Sequence, residues 1–425
     1  ANSAHHIAWF SEIRKEDVPL VGGKGANLGE IVNAGFPVPN GFVITSHAYY
    51  DFIRENNLNV KIKHLISTVN INNSKSLDQV ALNIKKLIIE AKMSPELTKE
   101  IVSSYEKLSG RFKEALVAVR SSATAEDLAN ASFAGQQETY LNVKGDAVLL
   151  EKVKEGWASL FGARAIFYRH QQKFDNIKIG IALVVQKMIE SDKSGIMFTI
   201  DPVTNDKSKI VIEAIFGLGE LIVQGAVTPD HYEVDKENLK ILSKKTSFQN
   251  RSLKKHGVSN KEIKFSRKQG EKQKLSEKEI ITLAKLGKEI EKHYYFPQDL
   301  EWAIEKGKAY IVQTRSVTTT HTQQKVVNTN LLSSDIILKG DPASPGIASG
   351  PAKVIFSPKD IGKVLNGDVL VAPQTNPDFV PAMKKAVAIV TDSGGRTSHA
   401  AIVSRELGIP AVVGTELATK KIKTG

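Results

Sequence analysis

The feature that most constrains the fold lies late in the chain, where an apolar run at residues 386–390 leads into Ser393-Gly394-Gly395-Arg396-Thr397-Ser398-His399-Ala400-Ala401. A short apolar run bounded by turn signals reads as a buried strand, two glycines permit a tight turn, and small residues from Ser398 begin a helix reaching about Leu407. Strand, turn and helix in this order make an α/β unit, and His399 falls in the first turn of its helix. Backbone N–H groups there lack intrahelical partners and the helix dipole is positive, so the position favours an anion on or beside the imidazole. A lone histidine at such a place is more often a helix-start residue with a satisfied hydrogen bond. Gly394, Gly395 and Arg396 beside it favour a histidine that takes up a phosphoryl group.

Length and composition set the outer bounds. A chain of 425 residues holds two or three domains, and 41% hydrophobic with 24% charged residues excludes wholesale disorder. Without cysteine, disulfides and thiolate metal sites are excluded, which fits a reducing compartment and leads us to expect a cytoplasmic protein. No apolar stretch is long enough to span a bilayer, and residues 1–10 lack the basic region and apolar core of a signal peptide, so no membrane partner is expected. The net charge of +12 is compatible with nucleic acid. Its lysines, however, concentrate at residues 236–278 without interleaved aromatics, so we read solvated faces and expect a polyanionic metabolite instead.

Two further segments carry phosphate-type chemistry. Val21-Gly22-Gly23-Lys24-Gly25-Ala26-Asn27-Leu28 sets three glycines and Lys24 before a helical pattern in which Leu28, Ile31 and Val32 share a face and Gly35 ends the helix. It does not match the P-loop pattern, and alone it reads equally as a glycine turn with an exposed lysine. The short strand at 116–119 delivers Arg120-Ser121-Ser122 at its exit, where a planar guanidinium suits two phosphate oxygens. A surface ion pair of Arg120 with Glu126 or Asp127 is the equal alternative. Residues 132–137 read as a small-residue lid before a strand at 139–143, and 147–171 as a long helical region whose aromatics pack a core. Gly217-Leu218-Gly219-Glu220 lacks the third glycine of a dinucleotide fingerprint.

Ser276 with Glu279 signals a capped helix reaching Glu291. The segments 297–304 and 309–315 then read as a hairpin around Lys306-Gly307. With a three-residue loop, Glu301 lies opposite Gln313 and Asp299 opposite Arg315, all facing one way. Such a patch suits Mg²⁺ beside phosphate, since carboxylate and amide oxygens are its preferred protein ligands. From alternation alone, a solvated sheet face with a cross-strand ion pair is the stronger reading. Residues 318–334 have linker composition, and 341–425 form a unit of short strands with Gly and Pro turns.

Taken together and in order, Gly22-Gly23-Lys24-Gly25-Ala26-Asn27-Leu28, Val119-Arg120-Ser121-Ser122-Ala123, Asp299-Leu300-Glu301-Trp302, Gln313-Thr314-Arg315 and Gly394-Gly395-Arg396-Thr397-Ser398-His399-Ala400-Ala401 resemble the phosphoenolpyruvate synthase family. This is part of the dikinase group of PEP-utilizing enzymes that also contains pyruvate phosphate dikinase. The resemblance implies an α/β (α+β) fold: an ATP-grasp nucleotide-binding domain over 1–317, a linker over 318–340, and all or part of a swivelling β/β/α phosphohistidine domain over 341–425. It implies ATP and Mg²⁺ as cofactors, with Lys24, Arg120, Asp299, Glu301, Gln313 and Arg315 at ATP and with Glu301 and Gln313 holding the metal. His399 is then the nucleophile, supported by Gly394, Gly395, Arg396 and Thr397, and Thr397 resembles a position regulated in the family. The reaction implied is ATP, pyruvate and water to AMP, phosphoenolpyruvate and phosphate.

The family's C-terminal barrel, which binds pyruvate, has no counterpart before Gly425. We therefore expect this chain to carry the ATP half-reaction, as part of a longer protein or with a separate partner, and to be a homo-oligomer at full length. Pyruvate phosphate dikinase is the nearest alternative, followed by a dikinase with an antibiotic or glucan acceptor. A non-catalytic phosphocarrier or assembly module is the alternative of a different class.

Overall fold

The computed structural model describes residues 5–110, 114–124, 138–171, 173, 175–176, 178–317 and 336–425. The expected lid at 132–137, the ion-pair partners Glu126 and Asp127, and most of the 318–340 linker lie outside the described residues. Contacts divide the chain into two compact units, Ala1–Ile189 with Gly257–Ser259, and Glu190–His256 with Asn260–Gly425.

The first unit is built on a five-stranded sheet of β1 (Ile7–Trp9), β2 (Gly41–Ile44), β3 (Val117–Ala123), β4 (Thr139–Val143) and β5 (Ile181–Lys187), in the order β1-β2-β5-β3-β4 and antiparallel throughout. The central strand β5 reads Ile-Ala-Leu-Val-Val-Gln-Lys and is buried on both faces, which is why its sequence does not alternate. Helix α1 (Val18–Asn33) packs against β5 and β3. Helices α2 (Ser46–Glu55), α3 (Leu58–Ser67), α4 (Ser74–Glu90), α5 (Pro95–Ser109) and α6 (Asp146–Ala158) contribute to one apolar cluster that includes Phe52, Tyr105 and Trp157. The rings of Phe52 and Trp157 lie 4.7 Å apart, so the aromatics of the 147–171 region pack as expected. That region is broken, because Gly162 caps a short 3₁₀ turn before α7 (Ala163–Gln171).

The second unit holds two larger sheets. β6 (Lys193–Phe198), β7 (Lys209–Phe216), β8 (Asp230–Asp235) and β9 (Ile241–Lys245) continue into an antiparallel six-stranded sheet with the later hairpin. β10 (Arg251–His256) and β11 (Ser259–Lys264) form a separate two-stranded ribbon. The hairpin strands β12 (Gln298–Glu305) and β13 (Lys308–Ser316) complete the order β13-β12-β6-β7-β8-β9. After two short helices, α8 (Glu220–Val223) and α9 (Arg267–Gly270), the long helix α10 (Glu277–Tyr294) packs against this sheet. Its capping box is formed as expected, with Ser276 accepting from the Glu279 amide.

The last sheet comprises β14 (Asp341–Ser344), β15 (Ala352–Val354), β16 (Val369–Ala372), β17 (Ala388–Thr391) and β18 (Ala411–Val413), in the order β14-β18-β17-β16-β15. β15 to β18 run parallel and β14 is antiparallel, with α11 (Val380–Met383), α12 (His399–Leu407) and α13 (Ala418–Lys421) as connections or ends. Parallel neighbours place the loops after β16 and β17 side by side, and α12 starts from the second of them.

Candidate phosphoryl-transfer site

In the first unit Gly22, at φ 71° and ψ 173°, kinks the run Val18–Asn33 into two helical pieces, so the glycine segment opens the second of them, while a first piece begins earlier, at Val18. A Cβ at Gly22 would fall 2.2 Å from Ser122 Oγ, so only glycine lets the two segments meet. Ser122 Oγ donates to Val21 O at 2.9 Å and accepts from the Gly25 amide at 3.3 Å, which ties the segment to β3. Lys24 Nζ donates to Ser121 O at 3.2 Å. At the other end of the helix Gly35 adopts φ 85°, with its amide on Val32 O and the Phe36 amide on Ile31 O, so Gly35 ends α1 as read from the sequence.

Arg120 differs from expectation. β3 runs on to Ala123 because Ser121, Ser122 and Ala123 keep pairing with β5, so Arg120 lies inside the strand and not at its exit. Its Nη1 donates to Gln186 Oε1 at 2.9 Å, and Gln186, itself buried, donates to Pro39 O. Gln186, the penultimate residue of β5, is a partner that sequence reading missed. Lys24 thus meets the backbone of Ser121, the residue that follows Arg120 on β3.

In the second unit the hairpin register is the expected one, reached differently. Asp299 pairs with Arg315 and Glu301 with Gln313, yet the turn has only two residues, Lys306 and Gly307, both at positive φ. A bulge beside Trp302 supplies the missing residue and restores the register. Arg315 Nε donates to Asp299 Oδ2 at 2.6 Å, and Asp299 holds the guanidinium above its ordinary value. The cross-strand ion pair is therefore present. Glu301 and Gln313 stand directly opposite each other, half-buried, with no hydrogen bond between their side chains and other described residues. A carboxylate and an amide oxygen so placed fit Mg²⁺.

The histidine lies where the sequence places it, as the first residue of α12. Ser398 is the N-cap and accepts from the Ala401 amide at 3.4 Å, while Gly394 takes φ 105° in the turn. His399 Nδ1 is 2.9 Å from Thr375 Oγ1, a buried hydroxyl on the loop after β16. Thr375 went unnoticed in the sequence, since only the parallel pairing of β16 with β17 brings it to the histidine. Arg405, buried inside α12, donates to Ala343 O and to Arg396 O, and burial pulls its guanidinium down to about 10.

Arg396 and Thr397 engage carboxylates in this conformation. The Arg396 amide donates to Glu213 Oε1 at 2.8 Å and the Thr397 hydroxyl to Glu213 Oε2 at 2.6 Å. The Arg396 guanidinium is 3.9 Å from Asp201 and 3.8 Å from Glu233. Glu213, on β7, is only 1% exposed and pairs across the strand with His231, whose Nδ1 is 3.8 Å away. Burial pushes the Glu213 carboxyl up, but His231, Thr397 and the Arg396 amide outweigh it and hold it below the ordinary range. Burial likewise pushes His231 down, and Glu213 and Glu233 more than reverse this.

Residues 18–334 match the family model described as pyruvate phosphate dikinase, AMP/ATP-binding domain, and residues 364–425 match PEP-utilising enzyme, mobile domain. The chain therefore belongs to the pyruvate phosphate dikinase AMP/ATP-binding domain family. Among curated relatives, it is 50% identical to a probable phosphoenolpyruvate synthase of Pyrococcus abyssi and 48% identical to the phosphoenolpyruvate synthase of Pyrococcus furiosus. It is also 50% identical to a probable phosphoenolpyruvate synthase of Archaeoglobus fulgidus. Each match covers 99% of this chain and 56%, 57% and 56% of the relative, respectively, so the chain spans just over half their length. Among the described residues no helix is long and apolar enough to cross a membrane.

Proposed function

We propose that this chain carries the ATP half-reaction of a phosphoenolpyruvate synthase, with His399 as the phosphoryl carrier. The observation that supports it best is His399 at the first position of α12 with Nδ1 held by Thr375. A hydrogen bond from Nδ1–H to Thr375 Oγ1 leaves the Nε2 lone pair as the nucleophile. Nε2 attacks the β-phosphorus of ATP, the bond between that phosphorus and the α,β-bridging oxygen breaks, and AMP leaves with the electron pair. Hydrolysis of the pyrophosphoryl-histidine releases phosphate, and the remaining phosphoryl group passes to the enolate oxygen of pyruvate.

Lys24 and Arg120 serve this step as phosphate contacts, and Asp299 and Arg315 complete the nucleotide patch. Glu301 and Gln313 hold Mg²⁺, which when bound spreads the charge of the transferring group. Residues 1–317 act as an ATP-grasp domain and 341–425 as a swivelling carrier, joined by 318–340. Gly394 and Gly395 shape the turn before His399, and Arg396 and Thr397 steady the anion once the loop is released from Glu213. Pyruvate and the oligomeric contacts belong to the whole protein, for which a cytoplasmic location fits the cysteine-free composition.

Incubation with Mg²⁺ and β-labelled ATP tests the reading. The label should appear in an acid-labile, base-stable form with AMP released, and His399→Ala should abolish it. Label that survives this substitution sinks the assignment.

A further inference from the structure

The six-stranded sheet carries one row of cross-strand neighbours that no motif connects: Gln313, Glu301, Ile196, Glu213 and His231 are paired in turn across β13, β12, β6, β7 and β8. Directly paired residues share a face, so Glu213 lies on the same face as the Glu301–Gln313 pair, two strands away at about 10 Å. The adjacent row on that face runs Arg315, Asp299, Phe198, Val211 and Glu233. A carboxylate at position 213 interrupts an otherwise apolar strand, Ile-Val-Ile-Glu-Ala-Ile, and replaces a core side chain. A fully buried charge is retained there only with partners: His231 stands beside it across the strand, and the Arg396 amide and Thr397 hydroxyl of the histidine loop donate to it.

We propose that Glu213 is the positioning residue that docks the Gly394–Ser398 loop on the sheet face carrying the nucleotide patch. Its two oxygens take one backbone and one side-chain donor of the loop, which fixes both place and orientation as a single bond would not. Complementary contacts surround it. Ser393 Oγ donates to Gly225 O at 2.8 Å, Lys245 pairs with Asp341, and the Arg396 guanidinium faces Asp201 and Glu233. Gly395 leaves no room for change, since a Cβ there would meet Glu213 Oε2 at 2.8 Å and Pro229 Cγ at 2.7 Å. The proposal rests on the reading of 341–425 as a mobile carrier.

The chain has no cysteine, so introduced cysteines at the exposed positions Leu242 on β9 and Leu365 beside β16 can carry a pair of spin labels. In the doubly labelled protein the distance distribution should be narrow, and Glu213→Ala should broaden it toward longer distances. Gly395→Ala, which disturbs the same contact from the other side, should do likewise, and Glu213→Gln should be intermediate. ATP affinity of Glu213→Ala should stay within about twofold, whereas the rate of His399 labelling should fall at least about tenfold, the split expected of positioning. A Glu213→Ala protein that fails to fold leaves Gly395→Ala to decide. Unchanged distributions in the folded variants, or an unchanged labelling rate in Glu213→Ala, overturn the proposal. Absence of His399 labelling in the unsubstituted protein instead defeats the phosphoryl-carrier reading, which the distances do not depend on.

Discussion

At the scale of single residues, chemistry is set by what each side chain is given to hold. His399 is ordinary as a helix-start imidazole; Thr375 at 2.9 Å makes its two nitrogens inequivalent. Glu213 and His231 show the same principle in a buried pair, and their shifts give the cluster a pH signature. His231 is raised above its ordinary 6.5, so its contribution is complete below that value and is lost as pH rises through the folded-state value. Glu213 is depressed below its ordinary 4.5, so its contribution is present above that value and is lost as pH falls through the folded-state one. Glu233 raises His231 and Arg396 lowers it, and Glu213 also faces the buried Arg405. Stability from this cluster should therefore be greatest between 4.5 and 6.5 and decline on either side. His231→Asn should remove the alkaline decline and keep the acid one, as read from urea midpoints across pH; an alkaline limb that persists would assign it elsewhere.

At the scale of elements, local signals proved legible where a residue type has one physical use. Ser276 caps α10 and Gly35 ends α1, because side-chain caps and left-handed glycines act within a few residues. Boundaries that depend on a distant strand were not legible. β3 extends past Arg120 only because β5 offers partners through Ala123, and the bulge in the β12–β13 hairpin sits beside Trp302 with no turn residue to announce it. Gly22 marks the same limit. Beyond its positive φ, its need for glycine comes from Ser122, one hundred residues along the chain. Gly22→Ala should cost at least about 2 kcal/mol, from a side chain forced into positive φ and against β3. Chemical denaturation measures it, and a loss below a few tenths would mean that β3 yields at no cost.

At the scale of the whole molecule, two compact units each enclose their own apolar core, and neither depends on disulfides. Calorimetry of the chain should resolve two unfolding transitions, and a single two-state transition would show that the units unfold as one. The site residues divide along the same line. Lys24 and Arg120 belong to the first unit, and Asp299, Glu301, Gln313, Arg315 and the His399 loop to the second.

By itself the sequence determined the histidine at its helix start, the facing pairs of the hairpin, the capped helices and the family resemblance, because each is written in neighbouring residues or in a fixed order of short motifs. Only the tertiary structure decided that Thr375 holds His399, that Gln186 holds Arg120, and that Glu213 receives the loop before the histidine. Those partners lie on strands and loops far apart in the chain. A buried carboxylate or hydroxyl gains its role from the donor that folding brings to it, and no local pattern records that donor.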